Sequence, residues 1–153
     1  MLKIIVLTMF LVPTIINYKH KRENIVEVKK KSKEMIGVVA LLIVGSFICY
    51  KFDNTIIGYL IAFAATIMLY TSVFFQGITE EGINIFLATS PILKFVELSK
   101  ITKLEMERNK YGEIELKIHA YGNENKQSYK GEDEYKIVRL VNSWIDCKIN
   151  SKN

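Results

Sequence analysis

Two cysteines, two histidines and two prolines in 153 residues leave little material for the chemistries that depend on them. Cys49 falls inside an apolar stretch and Cys147 near the end of the chain, so neither a disulfide framework nor a zinc ribbon has the thiols it needs. His20 belongs to a run of cations and His119 to a polar strand face, and neither has a second ligand at metal spacing. A glycine-rich phosphate loop, a nucleophile elbow and a His-Glu zinc helix are all missing. Glu105, Glu107, Glu113 and Glu115 would mimic an acid/base pair, but their alternation with Lys103, Arg108 and Lys117 describes a solvated face with cross-strand ion pairs. The expectation is a non-enzymatic protein with no catalytic, cofactor-binding or metal residues.

The other shortage is of charge in the first half. Between Asp53 and Glu80 no charged residue occurs, and the mean hydropathy of the whole chain is positive although 24% of it is charged, so apolar and charged residues must be segregated. Residues 54–75 are long enough to cross a bilayer core, which takes about 20 apolar residues. Residues 35–50 form a shorter span bounded by Glu34 and Lys51, workable with lysine snorkelling. The turn at 51–54 makes these two an antiparallel hairpin. Residues 4–18 form a third apolar stretch; no small-residue cleavage site follows it and Lys19, His20, Lys21 and Arg22 arrive at once, a stop-transfer pattern rather than a signal peptide. Pro13 would kink it, which packed membrane helices tolerate. In this span the polar residues Thr14 and Asn17 are neutral, as are Ser46 and Thr66 in the others, which gives a proton relay or a pore no charged residue to run on.

Before residue 76 there are nine Lys/Arg against four Asp/Glu; after it, twelve against twelve. The whole net charge of +5 therefore sits in the apolar half, and a nucleic-acid partner is not expected of the balanced half. Seven of the cations lie between Lys19 and Lys33, which puts this basic loop, 19–34, on the cytoplasmic side by the positive-inside rule. Through the hairpin, the C-terminal half is then cytoplasmic as well, in a multi-pass protein of the cell membrane. Lys29, Lys30, Lys31 and Lys33 are candidate contacts for anionic lipid headgroups, besides setting topology. Gly58, Ala62 and Thr66 recur every four residues and give the third span a small-residue face for packing against its hairpin partner; a homo-oligomer through that face is the alternative.

From Gln76 the pattern alternates. Short strands are expected at 77–79, 83–87, 92–98 and 101–108, the last with Thr102, Leu104 and Met106 on its apolar face. Ile114, Leu116, Ile118 and Ala120 alternate with Glu113, Glu115, Lys117 and His119, one face core and one face water. A short polar strand through Tyr129 follows. The period then changes to helical: Gly131 to Asp133 start an amphipathic helix carrying Ile137, Leu140, Val141, Trp144 and Ile145. One twisted antiparallel sheet of six or seven strands, closed by this helix, is the expected α+β domain over 76–148, with a tail at 149–153.

The run "GITEEGINIF" at 77–86, the run "FVELSKITKLEME" at 95–107 and the closing helix resemble the bacterial pleckstrin-homology-like domain that follows membrane helices in small bacterial proteins. Where that family carries a tryptophan before the Glu97–Ile101 corner, this chain has Val96. The resemblance implies a PH-like fold and a protein or peptide partner held by a strand edge or by the groove beside the helix, in an accessory or regulatory role. Self-immunity against a membrane-active peptide and lipid sensing by the domain itself are the alternatives; the even charge balance counts against the second.

Overall fold

The structure, a computed structural model, describes the backbone of residues 1–87 and 90–150 and the side chains of these residues as far as Trp144. Ile145 and Cys147, and the tail beyond Asn150, therefore lie outside the described side chains. The chain forms two compact units, and they do not divide at a single break: Met1–Arg22, Lys30–Phe75 and Phe86–Leu93 make one, and Glu23–Lys29, Gln76–Ile85 and the chain from Lys94 onward make the other.

Among the described residues the first unit holds three helices, α1 (Leu2–Glu23), α2 (Ser32–Phe52) and α3 (Ile56–Phe74); α1 and α2 run past their apolar stretches into the charged flanks, whereas α3 ends just inside its own. All three are long and apolar enough to cross a membrane. His20, Lys21 and Arg22 occupy the last turn of α1, where cations suit the negative end of the helix dipole. The hairpin between α2 and α3 closes as tightly as its length demands: Asn54 takes a left-handed φ of 35°, a conformation asparagine adopts more readily than most residues, and the Thr55 hydroxyl accepts from Gly58 N at 3.2 Å to cap α3. At this end Lys3 pairs with Asp53 and donates to Thr55 Oγ1 at 3.2 Å, fastening the start of α1 to the turn. Toward the other end Val38, Phe74, Phe75 and Leu93 are buried together, with Tyr70 tilted against Phe74 at 5.0 Å and edge-on to Phe75 at 5.8 Å.

Among the described residues the second unit contains seven antiparallel strands, but in two sheets rather than one. β1 (Val26–Glu27), β2 (Gly77–Ile78), β3 (Gly82–Ile85) and β4 (Lys94–Glu97) form the first in that order; β5 (Ile101–Arg108), β6 (Ile114–Ala120) and β7 (Asn123–Tyr129) form the second. The break comes at the 3-10 turn Leu98–Lys100, which ends β4 after four residues and redirects the chain into β5. A second 3-10 turn, Gly131–Asp133, leads into α4 (Glu134–Asn150).

Three sequence expectations change for physical reasons. The basic loop is not all loop: Val26 pairs with Ile78 and Glu27 with Gly77, and a Cβ on Gly77 would lie 2.4 Å from the Val26 carbonyl oxygen, so only glycine allows this approach. The strand expected at 92–98 begins only at Lys94, because Leu93 is buried in the helical unit and its amide is already bound there. In β5 the expected apolar face is not covered: a register shift between Ile101 and Lys103 inserts a bulge, Ile101 is buried, and Met106 is 43% exposed. β6 follows its pattern throughout, with Ile114, Leu116, Ile118 and Ala120 buried.

Candidate functional site

The concavity with the clearest binding geometry in the sheet unit lies between β5 and α4. β5 has β6 on one side and, among the described residues, no strand on the other, so one of its two edges carries free backbone groups. Beside that strand, Leu98, Ile101 and Leu104 face Val141 and Trp144 of α4 across a groove of about 250 Å³, with Thr102 and Lys103 at its rim. The bulge builds this place: at Thr102 two residues of β5 oppose one of β6, and the Thr102 hydroxyl donates to the His119 carbonyl at 2.9 Å. Trp144 is fixed rather than loose, because its indole Nε1 donates to the Glu80 carbonyl at 2.8 Å. The groove is thus an apolar trough with a rigid aromatic floor beside an open strand edge.

The outward faces of β5 and β6 carry the carboxylates. Lys117 pairs with Glu107 at 2.8 Å and reaches Glu105 at 4.0 Å, and Lys103 pairs with Glu105. The Lys103 ammonium hydrogen-bonded to Glu105 holds that carboxyl below its usual range, and Glu107 raises Lys117. Both shifts favour the charged forms of Glu105 and Lys117, which suits a solvated face of cross-strand ion pairs. Glu113 stands apart from it, paired with Lys29 and accepting from Asn109 Nδ2 at 3.0 Å. Among the described residues no group of three or more His, Cys, Asp or Glu is placed to hold a metal. Cys49 is a free thiol that donates to the Gly58 carbonyl at 3.2 Å.

The four candidate lipid-contact lysines have different fates. Lys29 pairs with Glu113 inside the sheet unit, and its backbone N–H donates to Ser128 O at 2.7 Å. Lys30 donates to the Tyr70 hydroxyl at 3.0 Å, its ammonium 5.6 Å from the Tyr70 ring centre. Lys31 and Lys33 are exposed at the start of α2. The small-residue face of α3 lies against α2: a Cβ on Gly45 would be 3.3 Å from Ala62 Cβ, and the Gly58 carbonyl receives the Cys49 thiol. Gly58 has a second reason to be small, since a Cβ there would meet the Asp53 carboxylate at 2.6 Å. Thr66 is buried and returns its hydroxyl proton to the Ala62 carbonyl at 2.9 Å.

Two polar nodes were not visible in the sequence pattern. In the helical unit Asn17 is 0% exposed and holds Pro91 and Leu93: its Oδ1 accepts from Leu93 N at 2.8 Å, and its Nδ2 donates to Pro91 O at 2.9 Å while lying 3.2 Å from both Thr71 Oγ1 and Ser72 Oγ. The amide thereby satisfies the Leu93 N–H, which would otherwise be unpaired, and shares the Pro91 carbonyl with the Ser72 hydroxyl. In the sheet unit Gln127 is buried, donates to Asn84 O at 2.9 Å and to Gln76 Oε1 at 3.1 Å, and accepts from the Tyr129 hydroxyl. Burial pushes the Tyr129 phenol above its ordinary value. Both amides sit in strongly patterned or strongly polar segments, and apart from Tyr129 their partners are more than 40 residues away, beyond the reach of local periodicity.

No family model, no curated protein and no solved structure matches the chain.

Proposed function

We propose that this is a non-enzymatic integral membrane protein that holds a PH-like protein-interaction module at the cytoplasmic face of the cell membrane, as an accessory or regulatory factor. The observation that carries the reading is the open edge of β5 beside the trough formed with α4. An extended peptide adding to that edge would gain main-chain hydrogen bonds, and alternate side chains of the peptide would enter the trough between Leu98, Leu104 and Val141. Six antiparallel strands over 77–129 followed by one closing helix fall within the six or seven that the resemblance to PH-like domains implies, and this supports that part of the reading. The excess of cations between Lys19 and Lys33 supports the cytoplasmic placement. Tethering to a membrane keeps the module and a membrane-bound partner at high effective concentration, so a modest groove suffices.

A photoreactive residue at Thr102, in the full chain in its own membranes, tests this. The expected result is a discrete adduct that disappears when Val141→Glu places a charge in the trough, and that does not form when the photoreactive residue is moved to exposed Tyr135. The same adducts from both positions, or an adduct indifferent to Val141→Glu, would sink the proposal.

A further inference from the structure

An apolar groove of about 490 Å³ runs down α2 in the helical unit, with Lys30, Lys31 and Ser32 at one end and Met35, Val39 and Ile43 along its length. We propose that it holds one acyl chain of an anionic phospholipid, with the lipid phosphate at Lys31. The spacing of the lining residues keeps them on one helix face, and the eleven steps from Ser32 to Ile43 span about 16 Å at 1.5 Å per residue. That is close to half of a hydrocarbon core about 30 Å thick, the depth of one leaflet. Ile36 and Ile43 on this side are 67% and 64% exposed, so no protein side chain covers it among the described residues. The charge is complementary at the right end only. Lys30 is drawn to Tyr70 and Lys29 to Glu113, whereas the Lys31 side chain makes no cap to α2 and has no ion pair among the described residues. The lysine left at the mouth of the groove is therefore the one able to meet a phosphate.

The site is separate from the trough beside β5 and rests only on α2 lying in a membrane. With the purified full chain in detergent, phosphatidylglycerol and phosphatidylcholine of the same acyl chains are offered together, and retained lipid is counted by native mass spectrometry. Phosphatidylglycerol should be retained in preference as a single molecule, Lys31→Gln should lower its retention about fivefold, and Ala40→Phe, which fills the groove, should abolish it while leaving the circular dichroism unchanged. Glycerol phosphate, which has no tail, should not compete. Equal retention of the two lipids, indifference to Lys31→Gln or Ala40→Phe, or competition by glycerol phosphate would each overturn the groove assignment. Release of the chain from membranes by alkaline carbonate would remove the membrane premise instead, a failure the lipid competition does not produce.

Discussion

The two units are built inside out with respect to each other. In the sheet unit the buried side chains include Ile83, Ile85, Ile114, Leu116, Ile118 and Tyr129, and charges coat the outside, the arrangement water imposes. In the helical unit Ile4, Ile36, Ile43 and Phe47 are exposed, while Asn17, Ala64, Thr66, Thr71 and Ser72 are buried. Hydrocarbon gives helices no reason to hide isoleucine, so outside the cluster of Val38, Phe74, Phe75 and Leu93 it is small residues that permit close approach and polar residues that bond across helices that take the interior. The same residue type therefore has a different energetic meaning in each unit. Isoleucine holds the sheets together and merely wets the helices; a buried amide is a secondary support in the sheets and a main fastening in the helices.

The largest break of that contrast should come from one substitution made in both places. Ile118→Ala removes a fully buried side chain from β6 and should cost about 2–5 kcal/mol, whereas Ile43→Ala on α2 should leave stability nearly unchanged. Denaturant titration of the full chain, followed by fluorescence of Trp144, the single tryptophan, reads the first directly. Similar losses for both variants would show that α2 packs Ile43 and that the inside-out description fails.

Next in size is Asn17→Leu, which keeps the volume but strands the Leu93 amide and leaves the Pro91 carbonyl to the Ser72 hydroxyl alone; a buried group left unsatisfied costs about 1–3 kcal/mol. Hydrogen exchange at the Leu93 amide should accelerate while exchange at Ile118, in β6, stays slow. Uniform acceleration would mean that the two units unfold together and that Asn17 is no local fastening.

The smallest effect depends on pH and sharpens the role of Tyr129. Its phenol is buried, so its folded pKa lies above the ordinary 10.0. Below that pH both folded and unfolded chains keep the proton. Above it the unfolded chain loses the proton and the folded chain does not, so stability drains away as pH climbs from 10.0. Tyr129→Phe should be less stable at neutral pH by roughly one hydrogen bond, about 0.5–1.5 kcal/mol, and should lack this part of the alkaline decline. Equal alkaline slopes for the two chains would mean that water reaches the phenol.

The membrane half was legible because length and continuity are local properties: the spans at 35–50 and 54–75 became α2 and α3 with boundaries moved by at most four residues at any end. β6 was equally plain, since seven residues of strict alternation admit one assignment. Two-residue strands have no period to detect, and so β1 stayed hidden in the basic loop; Gly77 was its one trace, and that glycine is explained only by the Val26 carbonyl beside it. The segment Phe86–Leu93 misled for the opposite reason. At its end, Leu93 suits a strand by its apolar character, and the choice was made by Asn17, about 70 residues earlier in the chain, whose amide takes the Leu93 N–H that a strand would have used.

The trough shows the same division. Trp144, Val141 and Leu104 were recognisable as apolar positions of a helix and a strand, but the opening between them depends on the bulge at Thr102 and on the turn at Leu98–Lys100 that splits the expected single sheet in two. Hydrophobic runs, alternation and the placement of charge are properties of neighbours along the chain, and these were enough to establish three apolar helices, their basic flank and a strand-rich half closed by a helix. Which strands share a sheet, which edge stays open, and which amide satisfies which backbone are properties of residues brought together from far apart. Those were decided only when the chain folded, because an unpaired polar group costs nothing until it is buried.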